Sequence, residues 1–311
     1  MKYIFTTSTR GMTREEWLAE RRKGIGGSDA AAVIGLSPYA TPYTVWADKT
    51  GRLPEQPDNE AMRLGRDLED YVARRWCEAT GKRVKRSNAI YRNGHYSFAL
   101  ANVDRLVVGE RAGLECKTTS CRDVKRFRDA EFPEQYYAQC VHYLAVTGLD
   151  RWYLAVLQFG KGFHTFCLER DEAEIKALMD AEGRFWEHVV RDDPPAPDGA
   201  EATGDALTTI YRESRGETVE LFGREALLGE RETLLERRAV VDARLREIEN
   251  TIKEDMREAE RGECGRWRVS WKTQTRSSFL AKKFAADHPE IDLTPYYKTT
   301  SSRPFKVTAA E

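Results

Sequence analysis

Asp104, Glu115 and Lys117 lie within fourteen residues of one another and carry groups suited to phosphoester chemistry. On an extended Leu114-Glu115-Cys116-Lys117, side chains alternate between faces, so Glu115 and Lys117 point one way, Leu114 and Cys116 the other. The strand-like runs 97–108 and 112–118, joined by a short turn containing Gly109-Glu110, read as a β-hairpin that brings Asp104 close to them. Two carboxylates and an ammonium at the ends of apolar strands are costly unless something uses them. A hard divalent cation would use them, since it takes carboxylate and carbonyl oxygens and keeps some waters. Such an ion polarises a scissile phosphate and lowers the pKa of a water, while Lys117 positions or deprotonates that water or stabilises developing charge. A cross-strand salt bridge from Lys117 to Asp104 or Glu115 fits the same spacing.

The elements that position these groups follow from patterning. Thr13-Arg14-Glu15-Glu16 is a capping box opening a helix through Trp17 towards Arg22. In Lys23-Gly24-Ile25-Gly26-Gly27-Ser28, Ser28 is placed to cap a helix over 29–34. Pro42 starts a helix to Lys49, stopped by Gly51. Met62, Leu64, Leu68, Tyr71, Val72 and Trp76 recur at helical spacing over 59–80, ended by Gly81. After the hairpin come a helix over 134–147, strands over 151–159 and 163–168 around Gly160-Lys161-Gly162, and a helix over 171–190. This order predicts an α/β (α+β) domain with a mixed central sheet flanked by helices.

Domain organisation is read as 1–193, a linker over 194–220 beginning in the Pro-rich Asp193–Gly199 stretch, and an extension over 221–311. In the extension, Leu227, Leu228, Leu234, Leu235, Val241, Leu245, Ile248, Ile252 and Met256 ride a helix free of Pro and Gly over 230–261, as a long amphipathic helix or a coiled-coil seam. Strand candidates at 267–273 and 303–307 flank a helical patch around 279–286.

Composition bounds the function. The 311 residues are 41% hydrophobic and 32% charged, as expected of a globular protein. No apolar run is long enough to span a bilayer and the N-terminus has no signal-peptide pattern, so a cytoplasmic location, with no membrane partner, is expected. The six cysteines (Cys77, Cys116, Cys121, Cys140, Cys167, Cys264) form no Cys-x-x-Cys pair, which argues against zinc or iron–sulfur sites. Net charge is −1, yet residues 60–129 hold 16 Lys/Arg against 10 Asp/Glu, including Lys82-Arg83-Val84-Lys85-Arg86 and Lys125-Arg126-Phe127-Arg128. That surplus suits phosphate contacts; solvated faces balanced by nearby acids are the alternative.

Asp104…Glu115-Cys116-Lys117 resembles the PD-(D/E)xK nuclease motif, with Asn102-Val103 where that superfamily often has Ser-Pro. Arg22-Lys23-Gly24-Ile25-Gly26-Gly27-Ser28-Asp29-Ala30, followed by Gly35-Leu36-Ser37-Pro38-Tyr39, resembles the N-terminal signature of YqaJ-type viral recombinases, relatives of the lambda exonuclease. Gly65-Arg66-Asp67-Leu68-Glu69 resembles their helix bearing a further acidic metal ligand, and Tyr136–Tyr143 contains their Gln-x-x-x-Tyr pattern. The four matches occur in family order over residues 14–190. The tail Tyr296–Phe305 also resembles that of longer YqaJ-type proteins, with no chemistry attached.

The resemblance implies a restriction-endonuclease-like core and a Mg2+- (or Mn2+-) dependent exonuclease. It would digest one strand of linear double-stranded DNA from the 5′ end, leaving 3′ overhangs for a single-strand annealing partner in phage-type recombination. It implies a phage or prophage origin in a bacterial cytoplasm, and relatives that form rings leave homo-oligomerisation open. It further implies Glu69, Asp104, Glu115 and the Cys116 carbonyl as metal ligands, with Lys117 and Gln139 beside them. Arg22 and Ser28 would hold a 5′-phosphate, through bidentate bonds and a helix N-terminus respectively. An ordinary cap for Ser28, a surface ion pair for Glu69 and a core role for Tyr143 stand as alternatives. Gln139 would orient Lys117 or touch phosphate, Tyr143 and Asn102 would support the site, with Asn102 in place of a small hydroxyl weakening a side-chain role there, and His142 is read as packing. A related endonuclease, or a non-catalytic module that binds DNA ends, are the rival readings.

Overall fold

The computed structural model describes residues 4–55, 57–120, 133–298 and 301–308. The basic run 125–128 lies outside them. The chain forms two compact units, Met1–Glu213 and Ser214–Glu311.

In the first unit, β1 (Ile4–Ser8) leads to α1 (Arg14–Arg22), opened by the expected box: Thr13 Oγ1 accepts from the Glu16 N–H, and Glu16 accepts from the Thr13 N–H. Then follow α2 (Gly27–Val33), α3 (Pro42–Lys49) with Thr41 as cap, and α4 (Glu60–Thr80), capped by Asn59 and ended by Gly81 at φ +71°. The Ser28 expectation is corrected here. Gly26 is the N-cap of α2, so Ser28 sits inside the first turn with its hydroxyl free for another partner.

Five strands follow: β2 (Val84–Arg86), β3 (Ala89–Asn93), β4 (Tyr96–Asn102), β5 (Arg105–Val107) and β6 (Ala112–Thr119). The run 97–108 is therefore two strands. β4 pairs with β3 in an antiparallel sheet β1-β3-β4, whereas β5 pairs with β2 and β6 in a second sheet. The chain changes sheets at Val103-Asp104, and that bend lifts the Asp104 carboxylate out of either ladder.

After α5 (Glu134–Thr147), β7 (Arg151–Gln158) and β8 (Gly162–Glu169) complete the order β2-β5-β6-β7-β8. β6 and β7 are parallel and the other pairs antiparallel, giving a mixed central sheet. α5 is the crossover that parallel neighbours require. α6 (Glu172–Arg191) is capped by Asp171, and α7 (Glu201–Ile210) closes the unit.

The sheet is covered on both faces. Trp152, Leu154 and Val156 pack with Cys140 and Leu144 of α5 and Ile175 and Met179 of α6. On the other face Leu114, Tyr153 and Ala155 meet Val72, Ala73 and Trp76 of α4. Burial on both sides explains why β7 is an unbroken apolar run. α7 departs from the linker reading. Its Ala206, Leu207 and Ile210 join Trp46 and Phe185, and Thr203 Oγ1 meets Thr41 Oγ1 at 2.8 Å in the interior. An apolar face at helical spacing outweighs the Pro-rich lead-in, and the boundary between units falls after Glu213.

The second unit holds α8 (Glu225–Met256), the hairpin β9 (Arg261–Cys264) and β10 (Trp267–Ser270), and α9 (Ala281–Asp287). Residues 303–307 are not a strand; Pro304 offers no N–H to a ladder, and β10 already pairs with β9 across Gly265. Among the described residues no helix is long and apolar enough to cross a membrane.

Candidate active site

Strand alternation sets Glu115 and Lys117 on the face covered by α5, with Cys116 towards α4. Glu115 is buried. Its Oε1 takes Lys117 Nζ at 2.6 Å and the Gln139 Nε2–H at 2.8 Å, and among the described residues its Oε2 has no partner. Gln139 spends its second N–H on the Tyr143 hydroxyl at 2.7 Å. The two residues lie four apart on one face of α5, as their spacing predicts. Burial holds the Tyr143 phenol well above its ordinary range, so it stays neutral.

Asp104 sits at the sheet change, where its Oδ2 accepts the Cys116 N–H at 2.8 Å. Burial, then the charges of Glu115 and Glu69, push its carboxyl well above the usual aspartate range, against Lys117 and the Cys116 N–H. Burial by itself would lower the Lys117 ammonium, but Glu115 and Asp104 outweigh it and keep the amine protonated. Lys117 also lies 5.6 Å from the Tyr136 ring centre. Burial and the Asp104 charge push the Cys116 thiol up, which leaves its carbonyl as the only donor it offers a hard cation. Asn102, two residues before Asp104, has its Oδ1 buried and unpartnered.

Glu69 approaches from α4 on the other face. It is held by Arg105, a residue the motif reading passed over. The buried Arg105 guanidinium bonds Glu69 through Nη1, Asp70 through Nη2 at 2.5 Å, and the Asp104 carbonyl at 2.8 Å. Asp104 thus stands between two helices, with Glu69 on one side and Gln139–Glu115 on the other. The sequence trace of Arg105 was a charged residue directly before the apolar Leu106-Val107-Val108.

Among the described residues, no three His, Cys, Asp or Glu side chains converge into a finished metal cage. The donors present still fit a hard cation. The unpartnered Glu115 Oε2 and the crowded Asp104 carboxyl are oxygens lacking positive charge, and Glu69 is turned aside by Arg105 rather than remote.

At the glycine-rich turn, Arg22 and Ser28 are not brought together. Arg22 Nε lies 3.8 Å from Asp48, whereas Arg21 Nη2 donates to Ser28 Oγ at 2.9 Å. Helical rotation decides this: successive residues of α1 point about 100° apart, and Arg21 is the one aimed at the turn. Beneath it, Asp29 accepts from the Gly26 N–H at 2.9 Å and from buried Lys49 at 2.6 Å. Lys49 also donates to the Arg21 carbonyl at 3.2 Å. Burial would raise the Asp29 carboxyl, but Lys49 and Arg21 hold it at about 2. No pattern in the sequence marks Lys49. The turn also touches the carboxylate cluster. A Cβ on Gly27 would fall 2.5 Å from the Tyr143 ring, so only glycine lets α2 lie against Tyr143 and, through it, Gln139. His142, as expected, is structural: its ring joins Glu182 at 2.8 Å and the Leu100 carbonyl at 2.9 Å, fully buried.

Residues 16–150, which contain the carboxylate cluster and the glycine-rich turn, match the model of the YqaJ-like viral recombinase domain. The protein YqaJ of Bacillus subtilis (strain 168) is 40% identical over 286 residues, covering 90% of each chain. The chain belongs to the YqaJ family. Among solved structures, an alkaline exonuclease (LHK-Exo) from Laribacter hongkongensis overlaps with TM-score 0.48 at 22% identity, over 58% of this chain and 94% of its own. A phage-related exonuclease from Haemophilus somnus 129PT overlaps with TM-score 0.41 at 13% identity, over 54% and 96%.

Proposed function

We propose that this chain is a divalent-metal-dependent deoxyribonuclease that degrades one strand of linear double-stranded DNA from its 5′ end. The 3′ single strands it leaves would pass to an annealing protein in recombination of the phage type. The observation that carries the reading is Glu115: a buried carboxylate with one oxygen held by Lys117 and Gln139 and the other unpartnered, beside the crowded Asp104.

Asp104, Glu115, the Cys116 carbonyl and, once released by Arg105, Glu69 are the donors that would hold Mg2+ or Mn2+. When bound, the ion supplies polarisation of the scissile phosphate and a water of lowered pKa. Lys117, kept protonated by its neighbours, offsets the negative charge that grows on phosphorus-bound oxygen as water adds and the ester oxygen leaves. Gln139 fixes the Glu115 carboxylate so that its free oxygen keeps one direction. Arg21 and Ser28 offer a guanidinium and a hydroxyl at the start of α2 to a terminal phosphate.

The test is electrophoresis of linear duplex bearing 5′-phosphate, linear duplex bearing 5′-hydroxyl, and covalently closed circles, each with Mg2+ and with chelator. Rapid loss of the 5′-phosphorylated linear form alone, abolished by chelator and by Lys117→Ala, is expected. Cutting of circles would mark an endonuclease. Linear DNA left intact by the wild-type protein would sink the enzyme reading in favour of an end-binding module.

A further inference from the structure

The long helix α8 carries an apolar seam on its exposed surface. Leu227, Leu234, Val241 and Ile248 recur every seven residues, and Leu245 and Ile252 continue the series four residues out of step. At 100° per residue these six side chains fall within a sector of roughly 60°. Their exposure runs from 37% at Ile252 to 58% at Leu227, so the described residues of the second unit leave them open. The helix is 32 residues, about 48 Å, and its seam is continuous over most of that length. Exposed apolar surface on that scale needs an occupant.

Charge selects the occupant. Residues 225–256 hold six Lys/Arg against nine Asp/Glu, which disfavours a polyanion such as DNA. With Val241 and Ile248 as one set of seam positions and Leu245 and Ile252 as the other, Arg237 and Arg244 line one flank. Asp242 and Glu249 line the opposite flank. In a parallel two-stranded coiled coil, each flank of one helix faces the opposite flank of the other, five residues further on. Arg237 then meets Asp242 of the partner subunit, and Arg244 meets Glu249 of the partner subunit, twice over by symmetry. An antiparallel pair would set Arg flank against Arg flank. Within the chain these groups make only exposed contacts, such as Arg244–Glu247 at 2.7 Å and Lys253–Glu249 at 3.9 Å, which exchange readily. Two seam positions are filled by Arg231 and Arg238. Arg231 stacks towards Phe305 at 5.9 Å and Arg238 reaches Asp242 at 3.5 Å, so both charges have partners beside the seam. Polar seam residues cost stability and restrict register.

We propose that α8 pairs in parallel with α8 of a second copy of this chain, so that the protein is a dimer joined through its second units. Sedimentation equilibrium of the full chain over a concentration series tests it. The expected result is a species of twice the 35.6 kDa chain mass. Val241→Glu with Ile248→Glu, both at exposed positions, is expected to return the single-chain mass with helix content retained by circular dichroism. Arg237→Glu with Arg244→Glu is expected to weaken association about tenfold, roughly 1.4 kcal/mol. Mixing that variant with Asp242→Arg/Glu249→Arg chains is expected to restore it as a mixed dimer. A wild-type monomer throughout the series, or a dimer indifferent to both seam glutamates, would overturn the proposal. The second outcome would place the contact elsewhere on the chain.

Discussion

Gln139 of α5 donates to Glu115 of β6 at 2.8 Å and to Tyr143 at 2.7 Å, which ties the carboxylate face of the sheet to the helix beneath the glycine-rich turn. Gln139→Leu keeps the volume and removes both bonds. The Glu115 carboxylate then answers to Lys117 alone, and its free oxygen loses its direction. The expected outcome is a fall in kcat of about 10–100-fold, the usual scale for losing a group that orients a ligand. Thermal unfolding should report a loss of about 1–3 kcal/mol for the Tyr143 hydroxyl left buried without its donor. An unchanged kcat would show that Glu115 needs no orientation.

Arg105 joins α4 to the strand that follows Asp104, and removing it takes a donor from three oxygens at once, of which Asp70 keeps Arg86 at 2.9 Å and the Asp104 carbonyl keeps the Ser87 N–H at 3.2 Å. Glu69 is partly exposed and Asp70 mostly so, and water relieves much of their cost. Arg105→Met is therefore expected to lose about 2 kcal/mol rather than the full penalty of a dry ion pair. Urea unfolding in chelator measures this. Added Mn2+ should recover more stability in Arg105→Met than in Glu69→Gln, because only the first still owns the carboxylate.

Arg21 and Arg22 should separate cleanly. With Arg21 donating to Ser28, Arg21→Ala is expected to reduce the preference for 5′-phosphorylated over 5′-hydroxyl ends about tenfold or more, the scale of a charge-assisted hydrogen bond. Arg22→Ala, which loses only a 3.8 Å contact to Asp48, is expected to leave that ratio near the wild-type value. The ratio of initial rates on the two substrates is the readout. The reverse pattern would restore Arg22 to the phosphate site.

Asp29 makes a prediction about acid stability. Its carboxyl is held at about 2 in the fold, against 3.8 as the ordinary value. A depressed carboxylate stabilises the fold fully above its unfolded pKa and ceases to do so as pH falls through its folded one. The contribution, about 2 kcal/mol, is expected to disappear between pH 3.8 and about 2. Asp29→Asn should flatten that part of the stability profile in urea titrations. A slope unchanged by the substitution would show that other carboxylates govern acid unfolding.

Much of the first unit could be read from its residues because the signals were local. The capping box at Thr13, the stop at Gly81, and the apolar period of α4 act through neighbours within a turn. The alternation that set Glu115 and Lys117 on one face is likewise a property of a single strand. Side-chain partners across elements were not legible in the same way. The split of 97–108 into β4 and β5 depends on which strands lie alongside, and β3 and β2 compete for them from opposite sheets. The helix α7 followed a Pro-rich stretch whose composition says linker, and the surface it packs on, which includes Phe185 of α6 and Tyr43, Trp46 and Ala47 far away in the chain, is not written in its own residues.

The sequence by itself determined which groups are present, Asp104, Glu115, Lys117, Gln139 and the glycine-rich turn, and it determined the seam of α8, because period and charge are written along one element. Tertiary structure decided which guanidinium meets Ser28, that Arg105 holds Glu69, and that Glu115 keeps one oxygen free among the described residues. Those outcomes depend on the rotation of α1 about its axis and the packing of α4 and α5 on opposite faces of one sheet. Angles and contacts between elements distant in the chain leave no trace in the spacing of neighbouring residues.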